Sequence, residues 1–71
     1  MPLTMVQSGR KVRLIAVEAG RGLQARLAAM GLVPGAEIQV IRNSGHGPFV
    51  IAVKGSRVML GRGMAHKIIV A

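Results

Sequence analysis

Leu27-Ala28-Ala29-Met30-Gly31-Leu32-Val33-Pro34-Gly35 decides the fold, because it spells a helix end, a stop and a turn in one uninterrupted run. Leu23, Leu27 and Met30 follow the i, i+4, i+7 spacing of one helical face, and Gln24 and Arg26 lie off that face. Gly31 accepts the left-handed conformation in which helices stop. With Gly31 at C′, Leu32 is C″ and Leu27 is C3, the hydrophobic pair that accompanies a Schellman motif. Val33-Pro34-Gly35-Ala36 then fits a type II turn, with proline fixing φ at the second position and glycine accepting positive φ at the third. A strand is expected directly after it.

Upstream, Gly20-Arg21-Gly22 breaks the chain and offers Gly20 as N-cap to a helix from about Arg21 to Met30. Before the break, Arg10 to Ala19 is rich in β-branched residues. Val12 and Leu14 point one way and Arg13, Ile15 and Val17 the other, so this strand is expected to be covered on both faces. Leu3 and Val6 are placed against the core, and Gly9 turns the chain into the strand.

Downstream, Glu37 to Arg42 alternates, with Ile38 and Val40 inward and Glu37 and Gln39 outward, as a half-buried strand requires. Asn43 to Pro48 has loop chemistry and the length of a hairpin connection. Phe49, Ile51 and Val53 share a face of the returning strand, Phe49 to Lys54. Lys54-Gly55-Ser56-Arg57 is expected to form a type II′ turn with Gly55 at its first central position, so that Val58-Met59-Leu60 pairs back. Gly61 to Lys67 is expected as one helical turn, and Ile68-Ile69-Val70 as the last strand. Five short strands with turn signals favour a closed or nearly closed barrel, since closure removes exposed edges. The whole chain, 1–71, is expected as a single domain that is mainly β.

Ten Lys/Arg against two Asp/Glu give a formal charge of +8, which favours anionic partners: nucleic acid, an acidic protein surface or the inner leaflet of a membrane. With no cysteine, neither a disulfide nor a thiolate metal site can staple the fold, and thiol catalysis is excluded. No apolar run approaches the roughly 20 residues that span a bilayer, and residues 1–6 lack the pattern of a signal peptide, so a cytoplasmic location is expected.

The chain resembles the FeoA family, small accessory proteins of bacterial ferrous-iron transport with an SH3-like barrel fold. The resemblance is carried by Arg26 to Ile38, by Gly47-Pro48, by Val53-Lys54-Gly55-Ser56 and by Ala65-His66-Lys67-Ile68-Ile69-Val70, in register from Leu3 to Val70. Met30 stands where the family more often has leucine, a swap that conserves volume. Gly61-Arg62-Gly63 is more basic and richer in glycine than its counterparts, which bears on the last helical turn. The resemblance implies an SH3-like five-stranded barrel, with one helix between the first two strands and a helical turn before the last. It also implies an interaction role: association with the cytoplasmic GTP-binding part of the membrane Fe(II) transporter, FeoB, which would hold the protein peripherally at the inner membrane. A homo-oligomer is compatible with this reading.

Residue by residue, the chemistry favours binding over catalysis. Glu18 and Glu37 are the only carboxylates and come from different strands, so paired acid/base work is not expected. No phosphate-binding Gly-x-x-x-x-Gly-Lys-Ser/Thr loop is present, and no cofactor is expected. His46 and His66 are the only histidines and share no metal-ligand spacing, which makes them weak candidates for Fe(II). The five methionines are expected as the start residue and gap-filling core rather than soft ligands. For partner binding the expected surface is the helix and its exit: Arg21 and Arg26 steering toward acidic patches, and Met30, Leu32 or Val33 as the apolar anchor. Leu27, Gly31, Pro34, Gly35 and Gly55 are expected to serve structure. The alternative is a nucleic-acid-binding barrel, since Ser8 to Leu14 followed by Gly20-Arg21-Gly22 resembles KOW modules. Phe49, the sole aromatic residue, is expected in the core, which would leave no stacking platform for bases.

Overall fold

Helix α1 spans Arg21–Ala29, with Gly20 as N-cap, and it stops through the hydrogen bonds that a Schellman motif requires. The Leu32 amide donates to the Leu27 carbonyl at 3.0 Å and the Gly31 amide to that of Ala28 at 2.9 Å, with Gly31 at φ +89°. Gly35 then takes φ +91°, and the Ala36 amide closes the turn onto the Val33 carbonyl at 3.0 Å. Strand β2, Glu37–Arg42, begins at the next residue.

The computed structural model describes residues 1–71. Around α1 lie β1 (Lys11–Val17), β2 (Glu37–Arg42), β3 (Phe49–Val53), β4 (Ser56–Leu60) and β5 (Ile68–Val70), with a 3₁₀ turn at Leu3–Met5 and a short helix, α2, at Arg62–His66. The strands are antiparallel in the order β4-β3-β2-β1-β5. Between the two end strands, α2 provides the connection and packs on the 3₁₀ turn. The free side of β5 is partly covered by the N-terminal residues: Pro2 bridges Ile69, and the Val70 amide donates to the Met1 carbonyl at 2.7 Å. The barrel is therefore nearly closed, and β4 keeps the open edge.

β1 serves two partners. Lys11–Arg13 pair with β2 and Leu14–Val17 pair with β5, and the register shifts between Leu14 and Ala16 where the partner changes. A shift of this kind bends the strand and re-aims the side chain at the bend. Ile15 is 51% exposed as a result, which corrects the expectation that β1 is covered on both faces.

All 15 buried residues are apolar, among them Leu3, Val6, Leu27, Leu32, Phe49 and Ile68. Each large side chain removed from water in this way contributes roughly 1.5–3 kcal/mol before conformational entropy is subtracted. The methionines do not share in this core. Met1, Met5, Met30 and Met59 are 39–69% exposed and only Met64 packs against the core, so the expectation of gap-filling methionines holds for Met64 and fails for Met5, Met30 and Met59. The alternation within strands had already filled the interior with branched side chains, leaving those methionines at positions that face outward.

The β3–β4 turn also differs from expectation. Val53 pairs with Ser56, so the two-residue loop is Lys54-Gly55, one position earlier than expected. Both residues have positive φ, +50° and +78°, which makes the turn type I′ rather than II′. Type I′ twist matches the flanking strands, and that outweighs the cost of placing a lysine in the left-handed region.

Candidate functional site

The outer surface of α1 is built from small residues, and that determines its shape. Arg21, Ala25 and Ala28 recur at i, i+4 and i+7, so a stripe with little bulk runs up the helix toward its exit. Beside the stripe, Val17 from the end of β1 and Leu32-Val33-Pro34 from the helix exit complete a groove of about 320 Å³. Gln24 sits at its side and fixes the start of α1 to the end of β1, its Nε2 donating to the Val17 carbonyl at 3.3 Å and to the Ala19 carbonyl beyond it at 2.7 Å. The lining is mostly apolar, with the Arg21 guanidinium as its cation.

A second depression lies past the end of α1, between Ala28–Gly31 and the β3–β4 hairpin. Here the Lys54 stem packs close to Gly31: a Cβ placed on Gly31 would stand 3.4 Å from Lys54 Cδ and 3.6 Å from Val53 Cγ2. The glycine is thus required by its φ, while the Lys54 stem and Val53 would meet a Cβ only in ordinary contact.

The residues expected to bind a partner do not form one surface. Arg21, Leu32 and Val33 come together in the first groove, while Met30 lines the second. Arg26 is exposed in the last turn of α1, a favourable place for a cation at the negative end of the helix dipole, and it lines neither depression. Leu32 needs correction as an anchor. It is 1% exposed, because its C″ role turns the side chain onto Leu27, so it forms the floor of the groove and cannot project into a partner. Val33, at 36% exposure, is the apolar group that remains available. Ala25 and Ala28 were missed by sequence reasoning; the signal was their spacing from Arg21, which marks an empty face beside a charged one.

His46 lies on the loop after β2 and His66 at the end of α2, both exposed, with His66 Nδ1 3.5 Å from Thr4 Oγ1. No group of three His, Cys, Asp or Glu side chains gathers that could hold a metal ion. Glu37 lies in a shallow cleft beside Lys11 and Arg13, and Glu18, outside that cleft, follows the end of β1, where its backbone amide donates to the Lys67 carbonyl at 2.8 Å. Phe49 is fully buried, with the Arg62 guanidinium 5.7 Å from its ring centroid.

Another residue without a sequence signal is Asn43, at the end of β2. Its Nδ2 donates to the Val6 carbonyl at 2.8 Å and the Thr4 carbonyl at 3.0 Å, while its Oδ1 accepts from Arg62 Nη1 at 3.0 Å. One amide side chain thereby ties the 3₁₀ turn, β2 and α2 together.

Five antiparallel strands bent into a nearly closed barrel, with a helix after the first and a helical turn before the last, define the SH3-like class. Known structures agree. A crystal structure of an iron uptake regulatory protein (FeoA) superposes with a TM-score of 0.91 at 36% identity, over 99% of this chain and 93% of that one. A Stenotrophomonas maltophilia FeoA described as a procaryotic SH3 domain protein matches with a TM-score of 0.87 over 100% of this chain and 89% of that one; at 22% identity it speaks for the fold alone. In sequence, a candidate Fe(2+) transport protein A of Methanocaldococcus jannaschii is 42% identical over 69 residues, which cover 97% of this chain and 83% of that protein. The family model for the FeoA domain matches residues 1–71. The chain belongs to the FeoA family. No helix is long and apolar enough to cross a membrane.

Proposed function

We propose that this protein is a non-enzymatic interaction module of ferrous-iron uptake that docks on the cytoplasmic GTP-binding part of the membrane Fe(II) transporter, FeoB. The observation that carries this reading is the groove along α1, apolar in its floor, open at Val33 and Pro34, and flanked by Arg21. A partner side chain seated there is desolvated against Ala25, Ala28 and Leu32, while an acidic neighbour meets the guanidinium. Such an arrangement gives affinity from the apolar anchor and orientation from the charge. Arg26, outside the groove, contributes long-range steering. Through this contact the protein is held at the cytoplasmic face of the membrane.

Pull-down by the transporter's cytoplasmic domain tests the docking. Val33→Asp should weaken retention at least about tenfold, because it places a carboxylate at the apolar mouth of the groove. Arg21→Glu with Arg26→Glu should slow association and reduce its dependence on salt. Retention of both variants at the level of the unaltered protein would remove the groove from consideration. The nucleic-acid alternative is weakened by the position of Phe49, since a barrel whose one aromatic ring is buried cannot stack bases.

A further inference from the structure

Cross-strand pairing sets two rows of side chains on the outward face of β1–β4. The first row runs Lys11, Gln39, Ala52, Arg57, each paired to the next, and the second runs Arg42, Val50, Met59. Directly paired residues point to the same side of a sheet. The intervening positions, among them Val12, Ile38, Ile51 and Leu60, are buried, so both rows face away from the core. Two residues along a strand separate the rows, about 7 Å. These two rows carry three cations, the flanking outward pair Arg13 and Glu37 adds one charge of each sign at the β1–β2 end, and Met59 stands 68% exposed beside the half-buried Val50.

We propose that this face docks on an anionic phospholipid bilayer. Lys11, Arg42 and Arg57 reach headgroup phosphates with long flexible stems, while Met59, backed by Val50, enters the boundary between headgroups and acyl chains. Cations placed around an unbranched apolar anchor are the arrangement that interfacial binding uses. The net charge of +8 draws the whole domain toward a negative leaflet, and each further cation at the surface adds to the attraction. Two other occupants fit less well. RNA would want an aromatic platform, and Phe49 is 0% exposed. A second copy of the chain would bring Arg42 and Arg57 against the like charges of an equally basic domain. The face shares no residue with the α1 groove, so lipid and protein partner do not compete for the same side chains, and the inference does not rest on transporter docking.

Flotation with vesicles, in the absence of any transporter, separates the outcomes. Vesicles of phosphatidylglycerol and phosphatidylcholine in equimolar amounts should bind the protein at least about tenfold more tightly than phosphatidylcholine alone, and salt should weaken the binding. Arg42→Glu with Arg57→Glu should abolish most of that difference, Arg57→Lys should keep it, and Met59→Ser should weaken binding severalfold at unchanged charge. Arg21→Glu with Arg26→Glu alters the net charge equally on the helix side and serves as the control. Equal loss in the two double variants, equal binding to neutral vesicles, or tighter binding to single-stranded RNA than to the anionic vesicles at the same salt would each overturn the assignment. Circular dichroism confirms that each variant is folded, and Arg42→Gln with Arg57→Gln replaces the charge reversal if it is not.

Discussion

At the end of α1 the amides of Gly31 and Leu32 donate to carbonyls three and five residues back, whereas at the end of β2 the Asn43 side chain reaches carbonyls 37 and 39 residues away. Both places end an element and redirect the chain. The first is completed by its own neighbours in sequence, so it can form before the barrel does. The second exists only once the 3₁₀ turn, β2 and α2 have been assembled. The contrast teaches that a stop made locally fixes where an element ends, and a node made at long range fixes how the elements sit together. In a domain of this size, whose whole stability is of the order of 4–10 kcal/mol, either loss is a large fraction of the total.

The contrast can be broken from both sides. Asn43→Leu should have the largest effect, about 3 kcal/mol by urea denaturation, because the Val6 and Thr4 carbonyls and the Arg62 guanidinium all lose a partner. Hydrogen exchange should then show faster opening in residues 1–6 and 62–66 than around α1; uniform acceleration would mean that the node does not act as a unit. Gly31→Val should cost about 2 kcal/mol, since a β-branched residue is forced to positive φ and its side chain meets the Lys54 stem. A melting temperature indistinguishable from that of the parent would show that α1 does not depend on this stop. Arg62→Met should cost about 1 kcal/mol through the lost hydrogen bond and the lost ring contact. In a double-mutant cycle with Asn43→Leu its effect should shrink, because the two side chains share a bond; strict additivity would refute the shared node. The smallest change is a gain. Lys54→Asn puts a residue that tolerates left-handed φ into the type I′ turn and should stabilise by about 0.5 kcal/mol, or a few degrees in Tm.

Most of the fold was legible because its signals are local. The α1 stop, the Val33–Ala36 turn and the alternation in β2 and β3 each depend on residues within a few positions of one another. The β3–β4 turn was placed one residue late because Gly55 fits the first central position of a type II′ turn, while the pairing of Val53 with Ser56 makes it the second central residue of a type I′ turn. Of the expected partner surface, Arg21 and Val33 lie together in the groove, whereas Met30 and Arg26 lie elsewhere. Periodicity places side chains on a helix, but it does not say which neighbouring element covers them.

By itself the sequence determined the order and kind of the elements, the apolar character of the core and the excess of positive charge, since these follow from short-range sterics, alternation and composition. Tertiary structure alone decided that Leu32 is floor rather than anchor, that all the methionines but Met64 lie outside, that β1 divides its hydrogen bonds between two partners, and that Asn43 is a structural node. Each of those depends on which distant residues meet in space. Such meetings are set by barrel closure, where the free energy of many contacts is won together, and no stretch of a few residues carries that information.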